Sequence, residues 1–446
     1  MSFARHQPDP QTPNPEPSPY VHHSSFIIHH FLHASVVLLL LTTIACNPTG
    51  RNPEVNRALT DFSFGQYDLA AQSLRPQAAN TNENYVLNNV RLGSALLADY
   101  NLDAAEAAFY KAYEVINSTG VNDAGRSTAA IAVAEQFKVW KGEPFERAMV
   151  NFYLGLVYYI RHDYNNARAA FENALFKLRD YGEGDLKEDK YQQIDSDFAI
   201  AYYMLAKCHL KLANEDKAND LFHRLANLRP DLRGLIDDNR TAENNVLLIV
   251  EFGQGPMKVN LGDNSIAVFR PKPEEVGPIP RINITVDGKP LDLRQLNTPP
   301  VDLLALAQDR RWQTFDTIRL TKSAISMGLM GVGAYQASKR HPDYGTAAAF
   351  IAAGALLKAS SQADLRYWEM LPRSVFLLPL RISPGKHDIS INFGSHGFNQ
   401  SWRGIVAPDS GEATYYFRVT PHTRGPYTWP PANLADQPAP KISQAR

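Results

Sequence analysis

The chain has 446 residues, enough for two or three domains with sizeable cores. Its 45 basic and 46 acidic residues leave a net charge of −1 with no basic stripe, which argues against nucleic acid as a partner. Two cysteines, Cys46 and Cys208, are too few and too far apart for a disulfide scaffold or a zinc site.

Residues 1–25 are rich in Pro and His and lack a regular period, which predicts disorder. Residues 34–45 form an uninterrupted apolar run of 12, short of the roughly 20 needed to span a membrane but suited to a signal-peptide core. The run ends in Thr43-Ile44-Ala45-Cys46, which resembles the bacterial lipobox, with Thr43 standing where leucine is usual. The resemblance implies lipid attachment at Cys46 and a signal peptide over 1–45. Asn47-Pro48, in place of an aspartate, points to the outer membrane facing the periplasm, with 46–56 as a tether. Cys208 is then the remaining thiol, on an apolar helix, and reads as a small core residue.

From 57 to 240 the chain repeats itself. Leu154-Gly155, Tyr158, Ala167, Phe171 and Ala174 share their offsets with Leu92-Gly93, Leu96, Ala105, Phe109 and Ala112. Leu205-Ala206, Ala218, Phe222 and Leu225 form a further copy, and Ala58, Gly65, Tyr67, Ala70 and Leu74 a degenerate first one. Small residues where two helices would cross, with an aromatic to fill the gap, describe stacked helical hairpins. The offsets resemble those of the tetratricopeptide repeat. Two inserts interrupt the period: 117–147, which contains a helical pattern over 127–139, and the charged stretch 179–197.

Trp140-Lys141-Gly142-Glu143-Pro144-Phe145-Glu146-Arg147 enters the third copy. Here Gly142 breaks what precedes, Pro144 starts a helix, and Glu143 and Glu146 sit near its positive end. This entry resembles that of a family of uncharacterised bacterial envelope lipoproteins with helical repeats and a β-rich region, a resemblance that covers roughly 84–213 and 364–393. That family brings an architecture and no assigned activity.

Repeat arrays of this kind present the first helix of each pair on an inner face. On that face the third and fourth copies would carry Phe152, Leu156, Tyr159, Tyr203, Lys207 and Lys211. Aromatics beside lysines suit an extended peptide of some acidic character, from an envelope protein. The competing reading is that the chain's own C-terminal region covers this face.

After Pro230 the pattern changes to strands: 245–252, 265–270 and 281–286, the last followed by the hairpin signal Asp287-Gly288. Residues 375–382 and 387–393 read as a hairpin about Ser383-Pro384-Gly385-Lys386, and Pro379 marks an edge or bulge. Residues 415–419 read as a last strand, before a Pro-rich tail from 421 that is expected to fray. Within 301–363 lie two Ala/Gly-rich arms, 323–337 and 345–359. They read as a closely packed helical hairpin over the β-region, or as a membrane-inserting hairpin, although each arm is short of a span.

The expected fold is therefore α+β: a repeat solenoid followed by a small β-sandwich over 241–420 with a helical insertion. No catalytic motif, cofactor site or metal site emerges. Asp364, Arg366 and Glu369 beside Trp368 read as a salt-bridged junction into the strands rather than as acid–base machinery. The function expected is a non-enzymatic, lipid-anchored envelope scaffold that binds a protein partner. The alternative is a membrane-inserting component of an envelope transport or export assembly.

Overall fold

The computed structural model describes residues 52–117, 139–178, 198–241, 244–261, 266–293, 296–309, 364–394, 398–423 and 425–431, with 180–181, 193–194 and helical positions between 329 and 353. The signal peptide with Cys46, the helical pattern over 127–138, most of the 179–197 insert, most of both Ala/Gly arms and the tail from 432 lie outside the described residues.

Four helix pairs follow one another: α1 (Pro53–Ser63) with α2 (Tyr67–Ala79), α3 (Tyr85–Ala98) with α4 (Leu102–Asn117), α5 (Pro144–Ile160) with α6 (Tyr164–Phe176), and α7 (Ala199–Lys211) with α8 (Glu215–Leu228). They are the four copies of the sequence repeat and form a tetratricopeptide-like solenoid. The small residues do what their spacing implies. A Cβ added to Gly93 would lie 2.6 Å from the Phe109 ring, and one added to Gly155 would lie 2.6 Å from Phe171. Each aromatic thus rests on the glycine of its own pair, and Phe109 also stacks on Tyr153 of the next pair at 5.3 Å.

Every pair turns the same way. Gly65, Tyr100, His162 and Ala213 take positive φ, and the next residue in each case donates its N–H to a carbonyl five residues back: Gln66 to Asp61, Asn101 to Leu96, Asp163 to Tyr158, and Asn214 to His209. This left-handed helix ending satisfies carbonyls that the helix leaves open. Glycine takes the left-handed conformation freely only in the first pair. The α5 start is capped reciprocally. Glu143 accepts from the first turn while the Glu146 side chain accepts the Glu143 N–H at 2.7 Å, with Pro144 at the first helical position.

A short helix, α9 (Arg233–Thr241), leads into two facing sheets. The first holds β3 (Val246–Phe252), β8 (Val301–Asp302), β9 (Ser374–Leu380) and β12 (Ala413–Val419) in the order β12-β3-β9-β8. The second holds β6 (Ile282–Val286), β7 (Lys289–Pro290), β10 (Gly385–Phe393), β11 (Phe398–Ala407) and β13 (Tyr427–Thr428) in the order β13-β11-β10-β6-β7. Phe252 meets Phe393 and Phe398 at 4.3 and 4.8 Å, and Trp402 stacks on Phe417 at 3.7 Å, which makes the layer between the sheets an aromatic core. A separate hairpin, β4 (Met257–Leu261) with β5 (Ile266–Arg270), packs Phe269 against Phe145 of the repeats. The remaining short elements are β1 (Asp180–Tyr181), β2 (Gln193–Ile194) and α10 (Leu303–Gln308). In the Ala/Gly insertion, positions 329–330, 332, 334, 337 and 346–353 are helical.

Three expectations change. Residues 375–382 and 387–393 are strands but not a hairpin. β9 pairs with β3 and β10 with β6 and β11, so the turn at 383–385 carries the chain from one sheet to the other. Strands β4 and β11 were not foreseen. Residues 425–431 do not fray in the described structure: Trp402 pairs with Tyr427, and the Trp429 N–H bonds to the Arg403 carbonyl at 2.7 Å.

Replacing Gly155 with Ala forces the Phe171 ring aside in a filled core. We expect a loss of about 1–3 kcal/mol in urea unfolding, partly recovered in Gly155→Ala with Phe171→Leu.

Candidate partner groove and the strand that fills it

The inner face of the solenoid holds strand β12. The strand runs from the last helix pair to the first, and at each step its outward edge meets a polar side chain of the repeats. At its start, Glu412 accepts from Lys207 at 2.6 Å and from the Tyr159 hydroxyl at 3.3 Å, with Lys211 at 3.7 Å. Next, the Tyr100 hydroxyl accepts the Tyr416 N–H at 2.7 Å and donates to the Tyr416 carbonyl at 2.6 Å. Further on, the Tyr67 hydroxyl donates to the Arg418 carbonyl at 2.9 Å, and Thr420 donates to the Ser63 carbonyl at 2.6 Å. Side-chain hydroxyls thus stand where a neighbouring strand would otherwise supply partners.

Behind β12 lies a buried polar knot. Glu251 on β3 accepts from the Tyr153 and Tyr416 hydroxyls at 2.6 and 2.7 Å, with Arg418 at 3.5 Å. Burial raises the Glu251 carboxyl above its ordinary range, while Arg418 and the two hydroxyls oppose that shift. Burial likewise raises both tyrosines well above their ordinary value, so they remain neutral donors.

A second seam joins the third repeat's entry to the 364–371 segment. The Trp368 indole donates to Ser94 at 3.1 Å, its backbone N–H donates to Glu146 at 2.7 Å, and the Trp140 indole donates to the Arg366 carbonyl at 3.1 Å. Glu369 forms a two-pronged pair with Arg91 at 2.8 and 2.6 Å, both side chains being buried. Asp364 pairs with Arg366, and Lys258 of β4 pairs with Glu143. The acid–base cluster noted in the sequence is therefore spent on holding the two halves together. The Glu146 carboxyl is pushed up to about 8; burial is the largest cause, opposed by Lys258 and by the Glu143 and Trp368 N–H donors.

The six inner-face residues separate into two sets. Tyr159, Lys207 and Lys211 converge on Glu412. Phe152, Leu156 and Tyr203 are fully buried, with Phe152 at 5.6 Å from Phe171 and Tyr203 at 5.9 Å from Phe222. The chain's own β-region thus closes the face at Tyr159, Lys207 and Lys211, while the rings of Phe152 and Tyr203 pack against other residues of the helical stack. Tyr100, Arg91, Ser94 and Tyr153 were not singled out from the sequence, and Tyr67 was named only as a repeat position; of these, only the left-handed turn at Tyr100 is a local peculiarity. Cys208 is buried and its thiol is pushed up to about 12 by that burial, so it is protonated at neutral pH. Among the described residues, no group of three His, Cys, Asp or Glu side chains is placed to hold a metal.

No known family matches the chain, and no curated protein matches it. Solved structures that are similar to it include MamA, at 15% identity over 41% of this chain and 82% of that one, with a TM-score of 0.27. The apo form of RapI is another, at 8% identity over 70% of this chain and 86% of that one, with a TM-score of 0.31. At those values neither likeness bears on function, and the architecture rests on the chain's own helices and strands.

Two measurements probe these seams. Tyr100→Phe leaves the Tyr416 N–H and carbonyl unpaired in a buried place, and we expect it to cost about 1–3 kcal/mol in urea unfolding. For Glu146, the folded value lies above the ordinary 4.5, so the folded state binds the extra proton between 4.5 and about 8. Its contribution to stability therefore falls as pH rises through that window. Glu146→Gln should flatten this part of the stability–pH curve relative to the unaltered chain.

Proposed function

We propose that the chain is a non-enzymatic scaffold of the bacterial envelope, held to the membrane by lipid on Cys46, whose repeats bind a protein partner. The observation that carries this reading is strand β12 seated along the inner face of the solenoid: here the repeats grip an extended chain by its backbone and one carboxylate. With that face filled from within, the surface left to a partner is the outer one, formed by the second helix of each pair. Tyr110, stacked on Tyr113, and Phe176 stand out there at 46% and 47% exposure. The inner set of Phe152, Tyr159 and Tyr203 is the competing site.

A second reading, membrane insertion of 323–359 within a transport or export assembly, draws on Val332 and Ile351. Both lie at helical positions and are exposed at 42% and 44%. No helix among the described residues is long and apolar enough to cross a membrane.

Photoreactive residues placed at Tyr110 and Phe176, and in parallel at Tyr203, test the scaffold in cells. The expected result is a cross-linked protein from the outer positions and none from Tyr203; the absence of any cross-linked protein from all three would sink the reading. Cys46→Ser tests the anchor. Release from the membrane fraction is expected, whereas retention that resists carbonate extraction would favour insertion.

A further inference from the structure

Strand β10 turns one face into the sandwich, where Ile389, Ile391 and Phe393 are buried, and His387 takes the first place in that inward row. An imidazole at the margin of an apolar layer needs a partner for each ring nitrogen. It has both. Nδ1 lies 2.7 Å from the carboxylate of Asp287, in the turn between β6 and β7. Nε2 lies 2.7 Å from the backbone carbonyl of Ser383, in the turn that carries the chain from one sheet to the other.

Neither partner donates. A carbonyl only accepts, and so does an ionised carboxylate; the hydrogen bond from His387 and then the Asp388 N–H hold the Asp287 carboxyl below its ordinary value. Both ring nitrogens therefore carry hydrogen, and the ring is the imidazolium cation. Serine, histidine and aspartate are the residue types of a nucleophilic triad, but the geometry is a different one. Nε2 gives its hydrogen to the Ser383 carbonyl, and the Ser383 hydroxyl stands 3.5 Å away. Around the ring the two turns interlock. The Asp388 N–H donates to the second Asp287 oxygen at 2.9 Å, the Asp287 N–H donates to the Asp388 carbonyl at 2.8 Å, and Asp388 accepts the Gly404 N–H at 3.2 Å. A register shift between His387 and Ile389 sets Asp388 outside the β10–β11 ladder for these bonds.

We propose that His387 is a pH-operated latch between the sheet-crossing turn and the β6–β7 turn, closed while both ring nitrogens carry hydrogen and released when one of them loses it. A neutral imidazole has one N–H for two acceptors, so release leaves either the Ser383 carbonyl or the Asp287 carboxylate facing a ring lone pair. The charged groups on the elements around the ring are Asp287 and Lys289 at the β6–β7 turn, Lys386 and Asp388 on β10, Arg403 on β11, and Arg381 ahead of the crossing turn. Of these, Asp287 raises the proton affinity of the ring, chiefly through its hydrogen bond; burial opposes it and the Ser383 carbonyl adds to it. The folded value thus lies above the ordinary 6.5, so the latch contributes fully below 6.5 and is lost as pH rises through the folded value. Asp287 sets the acid limit, because its share is present above 3.8 and is lost as pH falls through its own, lower, folded value.

Nuclear magnetic resonance of the full chain in detergent, with the histidine ring carbons labelled, follows the titration directly. The His387 signal, identified by its loss in His387→Gln, titrates with a midpoint above 6.5. Hydrogen exchange of residues 283–290 and 383–390, corrected for base catalysis, accelerates through the same midpoint. Asp287→Asn keeps an acceptor without its charge, so both midpoints move down together. The same variant marks the signal should His387→Gln not fold. In His387→Gln the step in exchange is absent. The readout is confined to the two turns, so titration of Glu146 does not imitate it. A midpoint at or below 6.5, exchange that ignores the titration, or an unchanged step in His387→Gln would each overturn the proposal.

Discussion

An edge strand leaves a line of N–H and C=O groups that must find partners, and β12 finds them on another part of the chain. Tyr100 serves both groups of Tyr416 with one hydroxyl, and Tyr67 serves the Arg418 carbonyl. Because these bonds go to the backbone, they fix where the strand lies whatever its side chains are. The Glu412 carboxylate, ringed by Lys207, Lys211 and Tyr159, then fixes its lengthwise position. Without this seam the four-stranded sheet would present a bare edge and the solenoid an uncovered inner face. Each half supplies what the other lacks, and buried apolar residues form one continuous cluster through both.

The charged groups in this interface are costly to bury, and the structure meets that cost by giving nearly every one several partners. Glu369 meets Arg91 with both oxygens, and Glu251 receives two hydroxyls as well as Arg418. Such groups do not favour burial over solvent by much; they penalise any arrangement in which the partners miss one another. Trp368 adds a steric form of the same selectivity, since its ring sits against Phe109 and Tyr153 while its two N–H groups reach Ser94 and Glu146.

Local spacing made the repeats legible. Glycine over aromatic at a fixed offset is a packing instruction, and Gly93 with Phe109 and Gly155 with Phe171 carry it out. The Glu143-Pro144-Phe145-Glu146 entry was readable for the same reason, since a helix cap is made within four residues. The closed groove was harder. Tyr159 and Lys207 look alike to the sequence whether a partner or the same chain meets them, and the Glu412 they meet lies 253 and 205 residues away. The false hairpin at 375–393 has a simpler cause. A Pro-Gly turn serves a hairpin and a sheet crossing equally well, and what separates them is that β9 is buried on both faces while β10 alternates. The continuous apolar run Val-Phe-Leu-Leu-Pro-Leu carried that information.

The direction of β12 along the solenoid also bears on how the protein comes to be folded. An open array of helical pairs consolidates neighbour by neighbour as it leaves the ribosome. Here the first pair is completed by Arg418 and Thr420, whose contacts with Tyr67 and Ser63 span 351 and 357 residues. The inner surface of the earliest-made helices therefore stays exposed until almost the whole described body has been synthesised. Loops of that length slow the final closure and leave apolar helix faces open to other chains in the meantime. A protein closed end to end in this way has a greater need of a chaperone during biogenesis than the same helices would have as an open array.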